Sequence, residues 1–120
     1  MIERQIDDRT VDMAELAVEF WKLLRNYERV LDAAPENQKA GLAAQAKYGG
    51  RRLALILERN GMHVETFDGA IFSTNLPVAA VNGDEFIDGS PVVDQTLEPA
   101  IVVGTTVIRT GRVFLRAEQA

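Results

Sequence analysis

The 120-residue chain has no cysteine, and this absence excludes disulfide bonds, thiolate metal sites and cysteine nucleophiles. It has one histidine, His63, whereas catalytic triads and histidine metal sites need several converging groups. No apolar run approaches the roughly 20 residues that a membrane-spanning helix requires. The first eight residues are largely charged and lack the apolar core of a signal peptide. We therefore expect a cytoplasmic protein that is not an enzyme, with no cofactor and no metal.

The charge balance is acidic, with a net charge of −5 and a pI near 4.8. An acidic chain of this kind does not bind nucleic acid non-specifically, so we expect neither a nucleic-acid partner nor a membrane partner. Hydrophobic residues make up 47% and charged residues 26%, which are ordinary globular values. The length fits one domain, or one helical module joined to one small β-module.

Two further patterns resemble ligand sites, but each is better explained structurally. Asp84 and Glu85 lie near Asp88 in a turn, yet this loop lacks the alternating oxygen ligands of a calcium loop. Gly49-Gly50 precedes Arg51-Arg52 inside a helical run, not at a strand-to-helix turn, so no phosphate cradle is expected.

Residues 10–31 have apolar side chains in steps of three and four, which predicts a helix with one apolar stripe. Asp7, Asp8 and Thr10 supply capping oxygens and early negative charge at its start. Phe20 and Trp21 are interpreted as core residues, the alternative being an exposed recognition pair. The stripe consists of Met13, Leu16, Phe20, Leu24, Tyr27 and Leu31, widened by Val11, Ala17, Trp21, Leu23 and Val30.

Pro35 ends this helix, and a second helix is predicted from about residue 35 or 37 to Asn60, where Asn60-Gly61 is a strong stop signal. Gly49-Gly50 costs about 2 kcal/mol of helix propensity in its middle. We interpret this pair as a close helix–helix approach or a kink; a genuine break into two shorter helices is the alternative. The apolar stripe of this helix is Leu42, Ala46, Gly49, Leu53, Ile56 and Leu57.

Two helices are too few to enclose the large side chains of the first stripe. A symmetric dimer would make a four-helix bundle, so we expect a homodimer through the helical half. The predicted dimer interface consists of Leu16, Phe20, Leu24, Tyr27, Leu31 and Ile56.

After Gly61 the pattern changes to short β-rich runs separated by glycine turns, which predicts antiparallel hairpins. The fold class is therefore α+β: an N-terminal helical hairpin over residues 1–61, followed by a small antiparallel β-domain over residues 62–120. The predicted strands cover residues 63–67, 70–73, 78–81, 91–95, 100–103, 106–109 and 112–116.

Residues 53–116 resemble GrpE, the nucleotide-exchange cofactor of DnaK-type chaperones. The order and spacing of several short motifs carry this resemblance. They are Leu57-Glu58-Arg59-Asn60-Gly61, Phe67-Asp68-Gly69, Asn75 with Val78-Ala79-Ala80-Val81, Gly89 to Gln95, Val107-Ile108-Arg109 and Val113-Phe114-Leu115. Two departures concern loops: Gln95 to Ala100 replaces the family's Gln-x-Gly-Tyr turn, and Val103 to Thr106 lacks an arginine that the family uses at the chaperone surface.

The resemblance implies a co-chaperone that binds the nucleotide-binding domain of a DnaK-type chaperone and promotes ADP release. Asn75, Pro77 and Arg109 are the expected exposed contacts, whereas Val78 and Leu115 are apolar enough to fill the β-core. The alternative is a dimeric adaptor or assembly protein that binds another protein without exchange activity. The partner-binding residues implied by the resemblance are Asn75, Pro77, Val78, Gly104, Thr106, Arg109 and Leu115.

Overall fold

The computed structural model describes residues 7–87 and 89–118. Two 24-residue helices precede all strands, so the predicted α+β class with an N-terminal helical hairpin is confirmed. The elements are α1 (Asp8–Leu31), α2 (Glu36–Arg59), β1 (Met62–Glu65), β2 (Val78–Ala80), a short 3-10 helix (Gly83–Phe86), β3 (Val92–Glu98), β4 (Ala100–Val103), β5 (Thr106–Arg109) and β6 (Gly111–Arg116).

Local signals set the ends of both helices. The backbone N–H of Thr10 donates to Oδ1 of Asp7 over 2.9 Å, which caps the first turn of α1. Gly61 follows α2 with a φ of 72°, a conformation that glycine adopts without steric cost.

The helix α2 runs unbroken through Gly49 and Gly50, so the alternative of two shorter helices is wrong. A Cβ at Gly49 would lie 3.4 Å from Cδ2 of Leu24 and 3.7 Å from Cζ of Phe20. Position 49 therefore faces α1, but both distances are ordinary van der Waals contacts, so the interpretation as a close helix–helix approach stays a prediction.

The strands form two three-stranded sheets. The first has the order β1-β4-β5 and is antiparallel throughout. The second has the order β2-β6-β3, in which β3 pairs with β6 in antiparallel fashion but β2 pairs with β6 in parallel. The prediction of exclusively antiparallel pairing is thus wrong at β2. The strands β2 and β6 are not joined by a hairpin: β3, β4 and β5 lie between them along the chain, so β6 can run in the same direction as β2.

The predicted strand at residues 70–73 is also wrong, since only Ile71 makes an isolated bridge, to Val92. This segment instead covers the edge of β3 as an irregular loop. The N–H of Gly69 donates to the carbonyl of Val93, and the N–H of Val93 donates to the carbonyl of Ala70, both over 2.8 Å. The loop thereby satisfies backbone groups that a bare sheet edge would expose.

Two apolar clusters hold the molecule together. The first joins the helices to the first sheet across the predicted boundary after residue 61, and it is built from Ala14, Ala17, Val18, Leu57, Met62 and Ile101. The second lies under the second sheet and consists of Val93, Val113 and Leu115 with flanking aromatic residues. Small side chains on α1 at Ala14 and Ala17 let the first sheet approach the helix closely.

Candidate protein-binding surfaces

One side of α1 presents a row of large aliphatic side chains to solvent. Leu16, Leu23 and Val30 are 70%, 67% and 69% exposed, and we call them the outer row. Residues seven apart lie on the same side of a helix, and this row extends over about 21 Å at 1.5 Å per residue. A seven-residue apolar spacing is the pattern by which helices pair along their length.

The predicted dimer residues divide between two faces of the hairpin. Phe20 and Tyr27 lie beside the outer row where α1 meets α2: Phe20 is next to Gly49, and the Tyr27 hydroxyl donates to Oε1 of Gln45 over 3.3 Å. Ile56 is seven residues after Gly49, so it lies on the same side of α2, and it is partly exposed. Within the single chain neither Phe20 nor Trp21 is buried, so they are not core residues there.

Leu24 and Leu31 instead line an open groove between α1 and α2, on the side of the hairpin away from the outer row. The groove has a volume of about 780 Å³, and Val64 of β1 is one of the residues that line it. We call it the helical groove. Its lining residues are Trp21, Leu24, Arg25, Glu28, Leu31, Asp32, Lys39, Ala43, Ala46, Lys47, Gly50, Arg51, Leu53, Ala54 and Val64.

The predicted contacts of the β-domain fall into two separate groups. The carbonyl of Pro77 accepts a 2.9 Å hydrogen bond from the N–H of Gly111, which places exposed Asn75 and half-buried Val78 near the corner between β5 and β6. Gly104, with a φ of 61°, forms the β4–β5 turn at the opposite end of β5, about 13 Å away for a four-residue strand.

Two of the remaining predicted contacts differ in exposure. Thr106 is exposed beside the Gly104 turn. Leu115 is only 2% exposed and belongs to the second apolar cluster. It therefore fills the core, and no partner reaches it in this structure.

Arg109 does not point free into solvent but takes part in a charged network with α1. Its guanidinium contacts Oε1 of Glu98 at 3.6 Å and Oε1 of Glu15 at 3.5 Å. Lys22 of α1 completes the network by donating to Oε2 of Glu98 over 3.0 Å. Since the Arg109 side chain is only 30% exposed, its charge is largely used within the chain.

This network changes the titration of its central carboxylate. Burial by itself would raise the pKa of Glu98, but the hydrogen bond and positive charge of Lys22, together with Arg109, hold that pKa below its ordinary value. The hydrogen bond to Glu98 in turn raises the pKa of Lys22. Glu98 is therefore ionised at neutral pH despite lying in a buried position.

A further polar link joins α1 to the second sheet through Asp68. Oδ2 of Asp68 accepts from Arg25 over 3.3 Å, while Oδ1 accepts a 2.6 Å hydrogen bond from the backbone N–H of Thr96. Arg25 also lies 4.7 Å from the ring centroid of Trp21. The helix α1 thus holds the β-domain by ion pairs to Glu98, Asp68 and Arg109.

Sequence reasoning missed these links because their partners are 43 to 94 positions apart. The only local sequence signal for any of these ion-pair residues was the Phe67-Asp68-Gly69 motif, which drew attention to Asp68 through the family resemblance and not as an ion-pair partner.

Within residues 7–87 and 89–118, no group of three or more acidic or histidine side chains converges on a possible metal position. Asp84 and Glu85 are exposed there, while Asp88 lies outside the described residues. No helix in the described part of the chain is long and apolar enough to cross a membrane. Comparisons with known protein families, with curated proteins and with solved structures found no match for this chain.

Proposed function

We propose that this protein is a dimeric, GrpE-like co-chaperone of the cytoplasm, which binds the nucleotide-binding domain of a DnaK-type chaperone and promotes ADP release. One observation carries the proposal: a helical hairpin with an uncovered outer row is tied by three ion pairs to a small β-domain. Such an arrangement suits a protein that binds other proteins at both ends, and the order of the β-domain motifs favours the GrpE type.

The outer row supports dimerisation. Leu16, Leu23 and Val30 leave a continuous aliphatic surface that two copies can cover by packing α1 against α1, which makes four helices. Phe20, Tyr27 and Ile56 lie beside this row and extend the contact. Burial of aliphatic surface at about 25 cal/mol per Å² then stabilises the pair.

The β-domain supplies the surface for the chaperone. Asn75 and Pro77 at one corner, and Gly104 with Thr106 at the β4–β5 turn, are the candidate contacts. A co-chaperone that binds the open form of a nucleotide cleft more tightly than the closed form weakens ADP binding by that difference in affinity. The apolar cluster shared by the helices and the first sheet, together with the Lys22–Glu98 ion pair, holds the β-domain on α1, so its contacts act on the cleft as one unit.

Stopped-flow release of fluorescent ADP from a DnaK-type chaperone tests the proposal. We expect saturating protein to accelerate release, and the variant Thr106→Arg to reduce the acceleration by steric and charge change at the contact turn. Ala40→Arg, which adds the same arginine at an exposed position near the start of α2, serves as the control and should leave the rate unaltered. Release that stays at the chaperone's intrinsic rate at saturating wild-type protein contradicts the exchange function.

The second candidate is a dimeric adaptor that binds a different protein without exchange activity. The engagement of Arg109 by Glu15 and Glu98 favours it, because an arginine already paired within the chain offers less to a chaperone. A stable dimer that leaves ADP release unchanged would support this candidate.

A further inference from the structure

The amide side chain of Asn82 continues the pairing of β2 with β6 by one rung. The backbone ladder between these strands ends with the N–H of Val81, which donates to the carbonyl of Val113 over 3.0 Å. Beyond it, Nδ2 of Asn82 donates to the carbonyl of Leu115, and Oδ1 of Asn82 accepts from the N–H of Leu115, both over 2.9 Å. A primary amide has the donor and the acceptor of a peptide group, so this side chain takes the place of backbone at the end of the sheet.

The residue after Asn82 makes this amide chemically labile. Gly83 has no Cβ, so its backbone nitrogen can approach the preceding side chain closely. Attack of this nitrogen on Cγ of Asn82 forms a five-membered succinimide ring. The Cγ–Nδ2 bond breaks, and the leaving ammonia takes up the proton of the Gly83 N–H. Water then opens the ring at either carbonyl, which leaves aspartate or isoaspartate at position 82, and no other reactant is needed.

The fold holds the reacting amide away from this route. Cγ of Asn82 can turn toward the Gly83 nitrogen only by rotation about the side-chain or backbone bonds of Asn82. Such a rotation displaces both amide atoms from their partners on Leu115. These hydrogen bonds are part-buried, and Leu115 belongs to the second apolar cluster. Reaction therefore requires the second sheet to open.

We propose that Asn82-Gly83 is a deamidation site that the folded β-domain protects, so that opening of the second sheet leads to irreversible modification. The rate of modification is then proportional to the fraction of molecules in which this sheet is open. The reaction limits the lifetime of the β-domain, and it is independent of nucleotide exchange and of dimerisation.

Deamidation prevents the modified chain from restoring the rung. A carboxylate at position 82 has no N–H to donate to the carbonyl of Leu115, and one of its oxygens would face that carbonyl oxygen instead. It would also place a third carboxylate in the segment 82–85, with Asp84 and Glu85. Isoaspartate adds a methylene group to the backbone between β2 and the 3-10 helix, which changes the spacing of the two elements. Both products weaken the second sheet.

Incubation of the full chain in mildly alkaline buffer, with and without denaturing urea, tests the proposal. Peptide mapping by mass spectrometry follows the mass gain when an amide NH₂ is replaced by OH. We expect Asn82 to convert at least about tenfold more slowly in the folded protein than in urea. Asn75 is the internal control, because it is exposed but precedes Leu76, and it should convert slowly in both conditions. Equal rates at Asn82 in both conditions overturn the protection, and conversion in urea no faster than at Asn75 overturns the site.

The variant Gly83→Ala tests the chemistry of ring closure. Its added Cβ would meet only the Cβ of Ala80, at an ordinary distance of 3.6 Å, and Gly83 has no positive φ. The methyl group hinders attack by the backbone nitrogen, so conversion of Asn82 in urea should fall at least about tenfold. This comparison is made in urea and does not depend on how the variant folds. Unchanged conversion contradicts ring closure through Gly83.

A second pair of variants measures the consequence for the sheet. Asn82→Asp reproduces the aspartate product and should lower the midpoint of thermal denaturation by about 5 °C, since it removes a donor at a part-buried position. Asn75→Asp adds the same charge at an exposed asparagine and should leave the midpoint within about 1 °C. Equal midpoints for Asn82→Asp and the wild type contradict the contribution of this amide to the sheet.

Discussion

The helical hairpin and the β-domain bury their apolar residues to very different extents. Among the 48 residues of α1 and α2, only Ala14, Ala17, Val18, Ala46 and Leu57 are buried. The four strands β3 to β6 are much shorter. Yet β4 buries consecutive residues, β6 buries every second residue, and β3 buries four of seven, so these strands contribute to two buried clusters. The second cluster is thus completed by β-domain residues alone, whereas the first is shared with the helices.

The hairpin, by contrast, leaves several large aliphatic side chains at the surface, among them Leu16, Leu23 and Val30. Of its buried residues three are alanines, which contribute little to a core. The outer row and the helical groove occupy opposite sides of the hairpin and remain uncovered in the single chain. The strands thus hold most of the buried apolar residues, whereas the hairpin leaves apolar surface uncovered in the single chain.

The largest expected difference between the two regions is the loss of stability when a leucine is truncated in the β-domain core and on the hairpin surface. We predict that Leu115→Ala lowers the free energy of unfolding by about 3 kcal/mol, because it leaves a cavity in the second cluster. Leu23→Ala on the outer row should cost less than about 0.5 kcal/mol at protein concentrations too low for dimerisation. Urea denaturation of both variants measures the contrast, and similar losses would contradict it.

The next largest effect concerns the close packing at Gly111. A Cβ there would lie 2.8 Å from the carbonyl oxygen of Glu98 and 2.9 Å from the N–H nitrogen of Ala100, both backbone atoms. We predict that Gly111→Ala destabilises the protein by about 2–3 kcal/mol through overpacking.

Gly41→Ala on α2 is the control for this substitution, because its Cβ meets no atom within 4 Å. It should raise stability by about 1 kcal/mol through helix propensity. Thermal denaturation of the two variants should therefore move the midpoint in opposite directions, and a neutral Gly111→Ala would refute the close contact.

The link between the two regions depends on the ionised carboxylate of Glu98. We predict that Glu98→Gln costs about 1–2 kcal/mol at neutral pH, because it weakens the pairing with Lys22 and Arg109. Asp94→Asn is the control, since the Arg116–Asp94 ion pair is half-exposed and should contribute under about 0.5 kcal/mol.

The same residue gives a defined pH dependence. The pKa of Glu98 is lowered in the folded protein, so its contribution to stability is complete above the unfolded value of about 4.3 and is lost as the pH falls through the folded pKa. The stability difference between wild type and Glu98→Gln should therefore shrink in acid. A difference that grows below about pH 4 would reverse the predicted sign.

The smallest predicted effect distinguishes the two neighbouring glycines of the hairpin. Gly50→Ala should stabilise the protein by about 1 kcal/mol, because the added methyl group lies in open space and alanine favours helix. Gly49→Leu should destabilise it, since a side chain longer than a methyl group would run into Leu24 and Phe20 of α1. Circular dichroism during denaturation compares them, and stabilisation by both would contradict the close approach.

Local signals in the sequence predicted the helical elements and several strands well. The capping by Asp7, the stop at Asn60-Gly61 and the strands at residues 100–103 and 106–109 all depend on neighbouring residues. The seven-residue spacing of Leu16, Leu23 and Val30 was also visible in the sequence. The sequence alone did not show that these three side chains are exposed while other residues of the stripe are covered.

Pairings between distant residues were not predictable in this way. The parallel contact of β2 with β6 and the contact of Lys22 with Glu98 depend on how the whole chain folds back. The loop after β1 reads as a strand by composition, but the backbone pairs of Gly69 and Ala70 with Val93 hold it as an irregular cover for β3. The helical groove likewise arises only from the packing of α2 on one side of α1.

The most direct test of the central claim is the mass of the protein in solution by light scattering after size exclusion, for wild type and for Leu23→Glu. The account predicts twice the chain mass of 13.2 kDa for wild type, and the single-chain mass with unchanged helix content for Leu23→Glu. A wild-type mass of 13.2 kDa at high concentration, or a Leu23→Glu variant that remains dimeric, would contradict dimerisation through the outer row.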